Sequence, residues 1–387
     1  MARFGYASHV IEGIPSALGD NGLPFTLDTA GERSATATPD VPSDHGTASA
    51  AGSWLAMRGA RRAIGRLLSV PLTIGRYLAN QRRLGARLPP ADLYYLHGYD
   101  QFPAVRIAAS RYGAPYVYDA HDFYPEFLEG GQPTRLESWL MRRFYLAIES
   151  RCARSAAALV TVSDGIADLY EGHCGRRPTV VRNCAELRFL DAPRADVRRV
   201  AGAAHDDFLL VAVGNHKPGT RAIRQAVESL TMLPEHVHLA FVGPGYEEFE
   251  DLVASLAVAD RVHFVGAVPA QHVPRFIATA DAALILYLPV MLDIEYALPN
   301  GLFSSIAAGL PLLYPELTEI GRLARDHELG TPIDPGDPAS IAAGASALMD
   351  PQRVAAFRRN AERAREILNW EREETVLAKV VASALPG

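Results

Sequence analysis

Tyr296-Ala297-Leu298-Pro299-Asn300-Gly301-Leu302-Phe303 runs from a proline-punctuated segment into Ser304-Ser305-Ile306-Ala307-Ala308-Gly309, a short helix by its spacing. Asn300 stands where a helix cap belongs, and Gly309 suits the C-terminal cap. Leu302, Phe303, Ile306 and Leu310 recur at helical spacing and give the segment a buried face. The amides of Gly301, Leu302 and Phe303 lack acceptors inside such a helix and sit at the positive end of its dipole. This makes an anion site, and a diphosphate is the expected anion in an α/β protein. Every βα unit offers a similar helix start, so the stretch alone leaves binding and plain packing both open.

Outward from this helix, short apolar runs alternate with amphipathic stretches, the pattern of parallel βαβ units. Strands are expected at Leu93–His97, Tyr116–Asp119, Leu159–Val162 and Thr179–Arg182, then at Phe208–Val213, His238–Val242, Val262–Val265, Ala283–Tyr287 and Pro311–Tyr314. The strand-free stretch from Ala185 to Asp207 separates two sets and reads as a linker. A chain of 387 residues, 49% of them hydrophobic, is long enough for two such cores. The expected division is residues 1–186 and 187–368, with a last helix over 369–387 returning to the first domain.

Ligands of open parallel sheets bind beyond the carboxyl ends of the strands. Residues there are His97, Tyr99, His121, Asp122 and Ser163 in the first domain, and Gly214, Asn215, Lys217, Gly243 and Gly266 in the second. Lys217 and Arg221 follow a strand closely enough to reach a phosphate at Asn300, although helix-start surface charge explains them equally well. The neighbours of His121, among them Tyr116, Tyr118 and Asp119, are unusual for a purely structural core.

Together these residues resemble glycosyltransferase family 4. The likeness rests on Tyr118-Asp119-Ala120-His121-Asp122-Phe123-Tyr124-Pro125-Glu126, Val160-Thr161-Val162-Ser163-Asp164-Gly165-Ile166, Asn183, Gly214-Asn215 and Phe241-Val242-Gly243-Pro244-Gly245. It continues through Ala280-Asp281-Ala282, Tyr296 to Asn300, Ala307-Ala308-Gly309-Leu310-Pro311 and Asn369-Trp370-Glu371. The resemblance implies an α/β protein of the GT-B fold, two facing Rossmann-like domains with parallel sheets and an interdomain cleft. It implies a retaining, metal-independent hexosyltransferase-like enzyme whose nucleotide-diphosphate sugar is a co-substrate, with no cofactor. The second domain would hold the donor and the first a small-molecule, glycan or lipid-linked acceptor.

By the same resemblance, Asn300, Gly301 and Leu302 meet the diphosphate or sugar, Lys217 or Arg221 adds positive charge, and Gly266 and Val268 lie beside the base. His121 faces the donor sugar across the cleft, with Asp122 beside it. Ser304 stands where the family carries a ribose-binding Glu, and Gly301 where many relatives have Lys; donor affinity is expected to fall unless Glu295 or Asp293 substitutes for the missing carboxylate. These departures keep open a degenerate, non-catalytic GT-B protein acting as partner or scaffold, and a different GT-B reaction such as nucleotide-sugar epimerisation. Phe4-Gly5-Tyr6-Ala7 looks like the glycine loop that follows a first strand, with Gly5 and Tyr6 at the acceptor side; that strand is expected to be missing.

The net charge of -6 gives no electrostatic case for nucleic acid as partner. Cys152, Cys174 and Cys184 lack zinc-type spacing, and the longest apolar run, Ala282 to Leu292, is too short to span a bilayer. With no apolar signal-like stretch after Met1, a cytoplasmic protein is expected. Residues 29–53 read as a mobile loop. Arg58, Arg61, Arg62, Arg66, Arg76, Arg82, Arg83 and Arg87 follow with no acidic residue between Asp44 and Asp92, on a helical pattern broken near Pro71. A solvated basic face and a peripheral membrane or anionic-acceptor contact both fit segment 58–87.

Overall fold

A computed structural model describes residues 70–129, 136–190 and 196–385. Gly5, Tyr6, the 29–53 loop, the expected missing strand and Arg58 to Arg66 lie outside the described residues. Two parallel sheets organise the rest. The first contains β1 (Tyr94–His97), β2 (Tyr116–Ala120), β3 (Ala158–Thr161) and β4 (Thr179–Val180), side by side in that order. The second contains β5 (Phe208–Val213), β6 (Val237–Val242), β7 (Val262–Phe264), β8 (Ala282–Leu284), β9 (Leu312–Pro315) and β10 (Gly330–Ile333). Its order, β10-β9-β8-β5-β6-β7, reverses direction between β5 and β8, where doubly wound sheets open a crevice for ligands.

The cores follow from the period of two along each strand. Leu209 and Val211 of β5 point into one apolar layer, Leu210 and Ala212 into the other, and all four are buried. In the first sheet Tyr116, Tyr118 and Ala120 face a layer rich in tyrosine, while Val117 faces the helix Trp370–Ala384 through Val376, Leu377, Val380 and Ala384. Glu373 of that helix accepts from the Arg182 backbone amide at 3.0 Å. The expected linker is structured in part: Val197 and Ala201, on the short helix Val197–Ala201, are buried in the second domain's core.

β10 was not expected from its residues. Pro332 removes a backbone donor, which only an edge strand tolerates, and β10 pairs with β9 alone. Residues 70–87 are helical, so the break expected near Pro71 falls at the edge of the described residues. Ile74, Tyr77 and Leu84 pack against the first core, and Arg76, Arg82, Arg83 and Arg87 are exposed.

Candidate active site

The helix Asn300–Ala307 packs almost wholly inside, with Leu302, Phe303 and Ile306 fully buried. Gly309 takes a left-handed conformation, φ +73°, and closes the helix as its position implies. The start differs from expectation. Pro299 occupies the cap position and Asn300 is the first helical residue, without a side-chain cap bond, because Pro299 already holds the extended backbone geometry of a cap. The Leu302 amide donates to the Pro299 carbonyl at 3.0 Å, so the free amides retreat to the earlier positions Asn300 and Gly301.

Glycines let three segments meet at the crevice. A Cβ on Gly301 would stand 2.9 Å from the Val213 carbonyl oxygen, and one on Gly243 would stand 2.3 Å from the Gly214 carbonyl oxygen. Gly214 (φ +123°) and Gly243 (φ +146°) also hold conformations that a side chain strains. Asn300, Gly301, Gly214, Asn215 and Gly243 are thereby brought to one place at the ends of β5 and β6, with Gly266 past the end of the adjacent β7. Val268 is half-buried against the core and Lys217 is exposed.

Arg221 sits lower than expected for a phosphate ligand. Its guanidinium is buried under the loop and donates to the carbonyls of Val213 (3.0 Å) and Asn215 (3.2 Å) and to the Tyr246 hydroxyl (2.8 Å). Arg221 therefore shapes the Gly214 loop from beneath. The two carboxylates that could stand in for a Glu at Ser304 are likewise engaged. Glu295 accepts from the Thr318 amide and hydroxyl at 2.9 and 2.6 Å, and Asp293 accepts from the Phe123 amide at 2.9 Å. Ser304 itself is buried.

The first domain meets this half through residues that sequence reading did not single out as contacts. Glu126 caps the helix Leu292–Tyr296 by accepting from the amides of Leu292 (2.6 Å) and Asp293 (2.7 Å). The Ser163 hydroxyl donates to the Tyr296 carbonyl at 2.6 Å, and the Gly165 amide to Glu319 at 2.9 Å. Gly165 is needed because a Cβ there would lie 2.2 Å from the Tyr296 ring. Burial, then the charges of Asp122 and Glu126, push the Asp293 carboxyl up to about 7. Glu126 and Gly165 belong to the family-like motifs, but no signal in the sequence marks their partners.

His97 and His121 lie at the first domain's edge of the cleft, with imidazole nitrogens 3.1 Å apart. Each is 3.3 Å from Asp119 Oδ2. The hydrogen bond to Asp119 holds the His121 imidazole above its usual range, against the opposing effect of burial. Burial opposes the Asp119 charge, yet bonds from His121, His97 and Tyr95 hold its carboxyl well below the usual range. Tyr99, expected at the acceptor loop, is buried and packs edge-on against Tyr124 and Tyr145, so its ring supports the wall.

Two parallel α/β domains with a glycine-built crevice are the architecture of the GT-B fold. Residues 17–185 match the glycosyl transferase 4-like domain and residues 207–350 the glycosyl transferases group 1 domain, and the chain belongs to this family. It is 24% identical over 313 residues to a D-inositol 3-phosphate glycosyltransferase of Acidothermus cellulolyticus, a match covering 76% of this chain and 67% of that one. The corresponding protein of Thermobispora bispora is 26% identical over 298 residues, covering 72% and 67%. The fold superposes on Anabaena HepE, solved in complex with UDP-glucose, with a TM-score of 0.62 at 18% identity, over 76% of this chain and 79% of that one. For WaaG, a glycosyltransferase involved in lipopolysaccharide biosynthesis, the TM-score is 0.55 at 22% identity, over 70% and 79%. No helix of the described residues is long and apolar enough to cross a membrane.

Proposed function

We propose that this glycosyltransferase moves a hexosyl group, with retention at the anomeric carbon, from a nucleoside diphosphate sugar to a hydroxyl of a small-molecule, glycan or lipid-linked acceptor. The observation that carries this reading is the meeting of Gly301, Val213, Gly214 and Gly243 at the switch point of the second sheet. Backbone can approach a diphosphate there because no side chain intervenes. The first amides of the Asn300 helix and its dipole stabilise the charge that develops as the diphosphate leaves. Exposed Lys217 adds to it, and neither role requires a metal. The C1–O bond to the diphosphate breaks, a C1–O bond to the acceptor forms on the same face, and the acceptor proton passes to a leaving phosphate oxygen.

His121 meets the donor sugar from the opposite wall. Asp119, 3.3 Å from its Nε2, fixes how the ring is presented to the sugar. Asp122 acts beside it through the carboxyl of Asp293. HepE was solved with UDP-glucose, so a UDP-hexose is the first donor to try. The relatives' D-inositol 3-phosphate makes a polyol phosphate the first acceptor. The exposed arginines of residues 70–87 would hold a lipid-linked acceptor's anionic surface. Incubation with UDP-, GDP-, ADP- and dTDP-hexoses and an acceptor panel, with NMR of the product anomer, tests the reading. An inverted anomer contradicts retention, and a donor rearranged without acceptor indicates epimerisation.

A second reading, a non-catalytic GT-B scaffold, is favoured by one set of facts. Ser304 replaces the usual carboxylate, and Glu295 and Asp293 are both bonded elsewhere. Folded protein that binds no nucleotide sugar would establish it.

A further inference from the structure

The cluster at the end of the first sheet holds more ligand chemistry than sugar transfer needs. β1 and β2 pair in parallel with His97 opposite Asp119. Side chains two apart share a face of a strand, so Tyr95, His97 and Asp119 lie on one side of the sheet, and His121 follows two residues beyond Asp119. Three donor atoms then converge: His97 Nδ1 and His121 Nε2 are 3.1 Å apart, and each is 3.3 Å from Asp119 Oδ2. Among the described residues this is the group of His, Cys, Asp and Glu side chains whose ligand atoms gather in this way.

The triangle has the dimensions of a metal site. Imidazole and carboxylate ligands bind Zn²⁺ at about 2.0–2.1 Å in a tetrahedron, which sets neighbouring ligand atoms roughly 3.3–3.4 Å apart. Hydrogen bonding engages these atoms only in part at any one time. His97 Nδ1 lies against both His121 Nε2 and Asp119 Oδ2, but it carries at most one proton. A cation at the centre engages all three lone pairs at once.

The surroundings suit such an ion as well. Tyr95 donates to Asp119 Oδ2 at 2.8 Å and orients the carboxylate from behind, as outer partners of metal ligands do. The Asp119 side chain is 8% exposed and that of His97 63%, which gives a fixed floor and an entry path. Two nitrogens among three donors fit a borderline transition ion and disfavour Mg²⁺ or Ca²⁺, which take oxygen ligands.

We propose that His97, Asp119 and His121 form a three-ligand site for a divalent transition-metal ion, best fitted by Zn²⁺, with its fourth position open to the cleft. The site lies apart from the diphosphate grip but shares His121 with the proposed donor-sugar wall, and its test does not require the transferase reading.

The test uses the full chain, stripped with chelator and dialysed, then titrated with Zn²⁺ against a chromogenic competitor. The expected result is one equivalent bound with submicromolar affinity, weakened at least 100-fold in His97→Ala and in Asp119→Asn. Co²⁺ in place of Zn²⁺ should give the visible bands of a four-coordinate ion in the wild type and lose them in His97→Ala. His97 is largely exposed, so that variant tests the site even where Asp119→Asn fails to fold. Equal Zn²⁺ affinity in wild type and His97→Ala, or no saturable binding by the wild type, overturns the proposal. Because the readout is metal binding, a protein inactive with every sugar donor can still confirm the site.

Discussion

The backbone amide of Phe123 donates to Asp293 Oδ1 at 2.9 Å, which ties the loop carrying His121 to the helix that precedes Asn300. Asp293 faces Asp122 and Glu126 of the first domain, and burial with these charges raises its carboxyl to about 7. A raised carboxyl favours the closed arrangement fully below its ordinary pKa of 3.8, and that contribution is lost as pH rises through about 7. The hold between the domains should therefore weaken as pH rises from about 4 to about 7 and stay level above that. Asp293→Asn keeps an acceptor for the Phe123 amide and removes the charge. Small-angle scattering should show expansion with rising pH in the wild type and a flat profile in Asp293→Asn; parallel profiles would count against the coupling.

Gly243→Ala places a Cβ 2.3 Å from the Gly214 carbonyl at a backbone conformation hostile to side chains. A loss on the order of 3 kcal/mol in stability is expected, read by denaturant melting. Gly301→Ala meets the Val213 carbonyl at 2.9 Å, a closer contact than folded proteins normally accept. It should shift the helix start by a few tenths of an ångström and weaken donor binding about tenfold, near 1.4 kcal/mol, with a smaller effect on melting. Unchanged donor affinity would remove that helix end from the site.

Arg221→Lys should be costly although charge is retained. One ammonium cannot replace a guanidinium that bonds two carbonyls and the Tyr246 hydroxyl, and the loss is on the order of 3 kcal/mol. Stability and donor affinity should fall together, because the loop under Gly214 loses its support. A loss of affinity alone would mean that Arg221 reaches the phosphate after all.

Ser304→Glu restores the family's usual carboxylate. If the ribose lies there, donor affinity should rise by about tenfold, since charged hydrogen bonds to a hydroxyl are worth roughly 1.5–3 kcal/mol. Calorimetry that shows no gain in a folded variant would put the ribose elsewhere.

The fold was largely legible because parallel strands buried on both faces announce themselves as apolar runs, as at Phe208–Val213. The edge strand β10 escaped notice because Pro332 and its short length argue against a strand. The polar residues at strand ends were legible one by one, whereas their partners were not. His97 meets Asp119 only through the β1–β2 register, and Phe123 meets Asp293 across 170 residues of chain. Burial also divides Arg221 from Lys217, four residues apart, and no local pattern distinguishes a guanidinium beneath a loop from an ammonium above it.

The central claim is that the crevice around Gly214, Gly243 and Gly301 holds a nucleoside diphosphate sugar. Isothermal titration of the full chain with UDP-, GDP-, ADP- and dTDP-hexoses tests it most directly. The account predicts one saturable site with micromolar affinity for at least one donor, weakened about tenfold in Gly301→Ala. Absence of heat with every donor, in protein that melts cooperatively, would contradict it.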